Sequence, residues 1–120
     1  MSKKSGLVLY GLEKCSTCRK ARAWLDEHGI EHEFVDYRDH PLNGRQLQSW
    51  ADLLGGWAKL VNRASMTWRR LPDDLKSPQR DHDWLELVAN HPALVRRPVA
   101  WDGESVQVGF NPKRYRESFL

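Results

Sequence analysis

Cysteine is scarce in this chain: its 120 residues include two, Cys15 and Cys18. A disulfide-stapled fold is therefore excluded, because a bridge over two intervening residues closes too short a loop to constrain the unfolded chain much. A structural zinc centre takes four ligands, and His28, His32, His40, His82 and His91 show no metal-ligand spacing with the cysteines. Long hydrophobic runs are missing as well. None approaches the ~20 residues of a membrane-spanning helix. No apolar signal-peptide core follows the polar N-terminal segment with Lys3 and Lys4. No run of five basic residues occurs, and the 19 Lys and Arg are interleaved with 16 Asp and Glu, for a net charge of +3. That excess favours anionic ligands without calling for nucleic acid. There is no internal repeat, low-complexity segment or linker. The expectation is a cytoplasmic protein with no metal, no membrane contact and no direct nucleic-acid partner.

What is present is an ordinary globular balance, 40% hydrophobic and 29% charged, in a chain long enough to bury a core without covalent staples. Six tryptophans are many for this length and are expected in the core and in groove walls. Leu7, Val8, Leu9 and Tyr10 form a short apolar run between Gly6 and Gly11, the pattern of a buried strand. Cys18, Ala21, Leu25 and His28 then repeat at helical spacing, with Gly29 as the stop. A second strand is predicted within 30–37, around Phe34, Val35 and Tyr37. Strand, helix and strand in so few residues predict a parallel βαβ unit.

Beyond it, Asn43 is a predicted cap for a helix carrying Leu47, Trp50 and Leu54, ended by Gly55 and Gly56. Trp57 to Val61 reads as one more helical turn. Ser77-Pro78 is predicted to open another helix, with Trp84, Leu85 and Val88 as its stripe and Pro92 past its end. Asp102-Gly103 between two short apolar runs predicts a hairpin, its loop extending as far as Glu104, and Asn111-Pro112 a capped C-terminal helix. The order is that of an α/β, thioredoxin-like (glutaredoxin-like) fold: a βαβ unit over 1–38, a helical insertion over about 39–95, and a β-hairpin with a last helix over about 96–120, in one domain.

The chemistry concentrates at Cys15-Ser16-Thr17-Cys18, between the first strand and the first helix. A sulfur at a helix N-terminus faces unpaired N–H groups and the positive end of the helix dipole, and both favour thiolate over thiol. Lys14 and Arg19 add positive charge nearby. A free thiol is only about 3% ionised at pH 7, so full ionisation gains about thirtyfold in thiolate. Intrinsic nucleophilicity falls along with basicity and cancels most of that gain. The larger benefit is that the sulfur leaves a mixed disulfide readily, which suits a protein that forms and releases such adducts. Cys18 has two readings: a second redox thiol, able to pair with Cys15, or a small apolar filler on the helix stripe.

These segments resemble one known family. YGLEKCSTCRKA at 10–21, DYR at 36–38, LVNRASMTWRRL at 60–71, HPALVRRPV at 91–99 and VGF at 108–110 are similar, in that order, to the motifs of the arsenate reductase (ArsC)-like family, which includes the Spx regulators. The resemblance covers essentially the whole chain and is strongest to the YffB-like subgroup. It implies that Cys15 is the catalytic cysteine and that Arg63 and Arg97 hold an anionic partner. Pro98 would be a cis-proline facing the cysteine, and Lys14, Ser16, Thr17, Arg19 and Pro98 would contact substrate or glutathione. An arginine fork suits such oxyanions and carboxylates. Arsenate reductases carry a third anion-binding arginine where this chain reads Gly109-Phe110-Asn111.

Three functions follow from the resemblance. The first is a glutathione-dependent thiol-disulfide reductase with Cys15 as nucleophile, Cys18 as a candidate resolving thiol, and glutathione as co-substrate rather than a tightly bound cofactor. Its substrate would be a small thiol adduct or a protein disulfide. The second is an Spx-type regulator, switched by the cysteine pair and binding RNA polymerase. The third is an arsenate reductase, which the missing arginine disfavours. A compact dianion beside a thiolate needs cations, and one lost charge-assisted contact costs about 1.5–3 kcal/mol, or roughly ten- to a hundredfold in binding. Phe110 would instead suit a larger, less charged ligand.

Overall fold

The computed structural model describes residues 6–120. In chain order the elements are β1 (Val8–Gly11), α1 (Ser16–Glu27), β2 (Glu33–Asp36), α2 (Gly44–Leu54), α3 (Trp57–Leu60), α4 (Met66–Arg69), α5 (Asp81–Asn90), β3 (Val99–Trp101), β4 (Val106–Val108) and α6 (Pro112–Phe119), with 3₁₀ turns at Asp73–Leu75 and Pro92–Leu94. The chain divides into two compact units. One runs to His40 and resumes at Arg97–Leu120; the other is the intervening Pro41–Arg96.

The first unit holds the sheet, in the order β2-β1-β3-β4. β1 and β2 are parallel, Leu9 standing beside Phe34, and the crossover between them is α1. β3 runs antiparallel to both β1 and β4. This mixed four-stranded sheet with its helices is the thioredoxin-like α/β architecture. Alternation along β1 buries Leu9 and Gly11 and leaves Val8 and Tyr10 half-buried, as a pleated strand with one fully covered face requires. That face is covered by α1 and α6: Leu9, Ala21, Trp24, Leu25, Ala100 and Tyr115 form one cluster. Each large aliphatic side chain buried there contributes about 1.5–3 kcal/mol of transfer free energy. Trp24 meets Tyr115 edge to face at 5.7 Å, an arrangement that adds to the burial. The Arg97–Pro98 peptide is cis, and Pro98 is buried at the entry to β3.

The second unit is helical. Asn43 caps α2 as expected, its side-chain oxygen accepting from the N–H groups of Arg45 and Gln46 at 2.7 and 3.3 Å. Gly55 closes the helix in the left-handed region, at φ +98°. Three tryptophans stack in series, Trp57 on Trp84 at 6.0 Å and Trp84 on Trp68 at 6.2 Å. Trp57 Nε1 donates to Asp81 at 2.9 Å.

Two expectations change. Ser77-Pro78 does not open α5; the helix starts at Asp81. The Asp83 carboxylate decides this by accepting the N–H groups of Gln79 and Arg80, both at 3.1 Å, so the free donors of the helix start lie beyond the proline. α5 consequently buries Leu87 and Val88, with Trp84 and Leu85 half-covered. The hairpin loop runs through Ser105 rather than ending sooner, because Asp102 Oδ1 accepts from Glu104 N–H at 2.9 Å and Ser105 N–H at 2.7 Å and holds a wider turn.

Gly11 is the position where the fold and the cysteine pair meet. A Cβ placed on it would lie 2.5 Å from Cys18 Sγ and 3.5 Å from Phe34 Cε1. Gly11→Ala is therefore expected to overpack the sheet–α1 interface and lower stability by about 1–3 kcal/mol. Adding Cys18→Ala should recover part of the loss by removing the sulfur. Thermal denaturation of the two single variants and the double variant checks this; additive losses would show that the sulfur is not the obstacle.

Candidate active site

Cys15 is the N-cap residue of α1, extended at φ −80° and ψ 122°. Its own N–H donates to Leu12 O at 3.1 Å and its carbonyl accepts from Arg19 N–H at 3.0 Å, so the backbone is committed and the half-buried side chain is left to the site. Residues 12–15 form the loop that presents it. The Asp36 carboxylate at the end of β2 ties this loop down, accepting from Glu13 N–H at 3.0 Å and Arg38 N–H at 2.8 Å. Arg19 braces it from the helix side, its Nε donating to Glu13 O at 3.0 Å.

Burial alone would raise the Cys15 thiol. The Cys18 N–H, the Cys18 thiol, the Arg97 guanidinium and the Thr17 N–H all act on its sulfur and hold it below the ordinary cysteine value. Cys18 goes the other way. It is fully buried, and burial pushes its thiol up to about 12, reinforced by the proton it shares with Cys15 and opposed by the Leu12 backbone hydrogen bond. The pair thus gives up its first proton from Cys15 and keeps the second on Cys18.

Arg97 lies immediately before the cis bond. Burial of the half-covered guanidinium works against its charge, but the Tyr37 hydroxyl and the Cys15 sulfur outweigh that effect and keep it cationic. Its Nη1 lies 3.5 Å from Tyr37 Oη.

The structure thus brings Cys15, Cys18, Thr17 and Arg97 together. Ser16 and Lys14 are exposed at the same helix start. Arg63 belongs to the second unit, where its guanidinium lies 5.6 Å from the Trp68 ring centre. Tyr37 and Asp36 are site residues that the sequence reading quoted in a motif without giving them a role. The available signal was their place at the carboxyl end of a parallel strand beside the βα loop, where α/β sheets build sites. Phe110 is half-buried and packs edge to face on Tyr115 at 4.9 Å, against the core cluster. Asn111 is equally committed, its side chain capping α6 through the N–H groups of Lys113 and Arg114. Among the described residues no group of three or more His, Cys, Asp or Glu side chains is arranged to hold a metal ion. No helix there is long and apolar enough to cross a membrane.

The Asp36 tie makes the loop acid-sensitive. The two N–H donors, Glu13 first, hold this carboxyl below the usual carboxylate range, against the effect of burial. A carboxyl lowered on folding contributes stability that is complete above its unfolded value, near 3.9, and is lost as pH falls through the folded one. Asp36→Asn should lower the melting temperature at pH 7 and flatten its fall on acidification below about pH 4. Parallel acid profiles for the two proteins would show that the tie carries no such load.

The chain also matches known proteins. The family model described as the ArsC family matches residues 10–118. The global transcriptional regulator Spx of Enterococcus faecalis is 37% identical over 92% of this chain and 83% of its own length. The solved structure of a YFFB protein is 35% identical, covers 95% of this chain and 99% of its own, and has a TM-score of 0.88. That of an arsenate reductase (ArsC) related protein from Brucella melitensis is 34% identical over 99% of this chain and 98% of its own, with a TM-score of 0.76.

Proposed function

This chain belongs to the ArsC family, and we propose that it is a glutathione-dependent thiol-disulfide reductase in which Cys15 is the nucleophile. Its relatives make it a thiol-based reductase or regulator. The observation that carries the enzymatic reading is the half-buried Cys15 sulfur at the start of α1, held below the ordinary cysteine value by the N–H groups of Cys18 and Thr17, the Cys18 thiol and Arg97.

In the proposed reaction the Cys15 thiolate attacks the glutathione sulfur of a mixed disulfide. A Cys15–glutathione disulfide forms, the substrate's own S–S bond breaks, and the substrate thiolate leaves and takes up a proton. A second glutathione, as thiolate, attacks that sulfur, releasing oxidised glutathione and restoring the Cys15 thiolate. One free glutathione sulfur is oxidised as one substrate sulfur is reduced; the other sulfur of the oxidised glutathione comes from the mixed disulfide itself. Arg97 holds the returning charge at Cys15. Lys14, Ser16, Thr17, Arg19 and Pro98 are the proposed contacts of glutathione, and Arg63 is the proposed second anion-holding arginine.

The geometry favours glutathione over Cys18 for the second step. A thiol pushed up to about 12 is ionised in about one molecule in 10⁵ at pH 7. Burial, its leading cause, persists when Cys15 carries an adduct. Cys18 keeps its proton and serves the Cys15 thiolate as a hydrogen-bond donor.

A coupled assay with glutathione, comparing a glutathione mixed disulfide with arsenate, tests the reading. Turnover of the mixed disulfide should exceed that of arsenate, vanish in Cys15→Ser and survive in Cys18→Ala. Arsenate turnover equal to or above that of the mixed disulfide would overturn the substrate assignment, and turnover by Cys15→Ser would overturn the mechanism.

One observation favours a second reading, an Spx-type regulator: 37% identity to Spx over 92% of the chain, in a chain whose two cysteines, Cys15 and Cys18, are separated by two residues. RNA polymerase is the partner in that case. Capture of RNA polymerase by the reduced chain, altered when diamide joins Cys15 to Cys18, is the expected result. Capture that ignores oxidation, or fails in both states, rejects it.

A further inference from the structure

Tyr37 is a fully buried phenol at the end of β2 that no role yet accounts for. Its N–H donates to Gly11 O at 3.0 Å, which fixes its backbone to the strand that leads to Cys15. Its hydroxyl lies 3.5 Å from Arg97 Nη1, and Arg97 in turn acts on the Cys15 sulfur. Arg97 is a long, flexible side chain entering from a different part of the chain. A guanidinium on such a stem loses rotamer freedom when held in one place, and a rigid phenol anchored by burial reduces the number of places it can go.

We propose that Tyr37 is a positioning residue, its buried hydroxyl holding the Arg97 guanidinium against the Cys15 sulfur. The proposal rests on the reading of Cys15 as the working thiol and adds a residue that reaches the sulfur only through another. The groups acting on the Cys15 sulfur are Cys18, Arg97 and the Thr17 N–H; those acting on the Tyr37 hydroxyl are Arg97, Cys18 and Cys15. Of these, Arg97 is the one cation, and it is common to both sets. A phenylalanine at 37 keeps the ring and its packing but frees Arg97 to sample other positions, so the negative charge on Cys15 loses part of its support.

The experiment is alkylation of Cys15 by iodoacetamide, followed by peptide mapping from pH 5 to 10, in four proteins: the natural chain, Tyr37→Phe, Arg97→Met and the double variant. With the Arg97 contact weakened, Tyr37→Phe should react about threefold more slowly at pH 6 and somewhat faster near pH 10. A more basic thiol is less ionised but intrinsically more nucleophilic, so the two profiles should cross. In the Arg97→Met background the same change at 37 should have no further effect. A profile that merely drops at every pH would mark Tyr37 as a packing residue. An equal effect with and without Arg97 would show that Tyr37 does not act through it. Either result overturns the proposal. The readout needs no substrate, so it fails separately from the reductase reading, which the turnover assay decides.

Discussion

Negative charge on one half-buried sulfur is the constraint around which the first unit is organised. A thiolate taken partly out of water is stable only if donors converge on it. Here they come from two places: the backbone N–H groups of Thr17 and Cys18 at the start of α1, and the Arg97 guanidinium from the segment that enters β3. The sheet is what joins them. β3 lies beside β1 with Val99 opposite Tyr10, so the residues just before β3 fall near the loop that follows β1. Antiparallel pairing thus delivers a cation to the opening of a helix that the parallel pairing of β1 and β2 has already placed.

Holding the sulfur in that focus requires the 12–15 loop to be rigid, and Asp36 supplies this. Its carboxylate bonds backbone donors on both sides, Glu13 and Arg38, while Tyr37 between them stays pinned to Gly11. Charge-assisted bonds of this kind are among the stronger ones available to a loop. The neighbouring glycine solves the opposite problem. Cys18 must sit deep enough to keep its proton, and only a residue without a Cβ at 11 leaves room for its sulfur. The paired ends of β1 and β2, Gly11 beside Asp36, therefore carry the vacancy and the tie on which the unlike behaviour of the two cysteines depends.

Much of this was legible in the residue pattern, and the failures have physical causes. β1, α1 and the hairpin announce themselves because glycines bracket an apolar run, a helical repeat follows the cysteines, and Asp-Gly marks a turn. Cys15 stood out for the same reason: its chemistry follows from a local fact, the helix start. Tyr37 did not stand out. A tyrosine in a strand reads as core, and its partner Arg97 lies far along the chain, so no local spacing reveals the contact. The start of α5 was misread because Ser-Pro is a common opening, whereas the carboxylate of Asp83 captures the two donors that follow the proline. Arg63 is matched through family motifs alone, and in its own unit its guanidinium lies 5.6 Å from the Trp68 ring centre.

Phe110 and Asn111 show how a missing functional residue differs from a vacant position. A third arginine in this region would add the cation that a compact oxyanion beside a thiolate needs. The ring of Phe110 is, however, already packed on Tyr115, which also meets Trp24 and Phe119 edge to face. Replacing it with arginine removes a half-buried ring from beside the core cluster and costs part of that packing. At 111 the same change removes the cap of α6, at about 1 kcal/mol. The absent arginine is therefore tied to how this chain closes its sheet against α6, and inserting one disturbs that closure before it changes the chemistry. Among the groups that act on the Cys15 sulfur, Arg97 is the one cation. That balance suits a ligand carrying its negative groups away from the reacting sulfur, as a glutathione adduct does, better than one that concentrates them on the reacting atom.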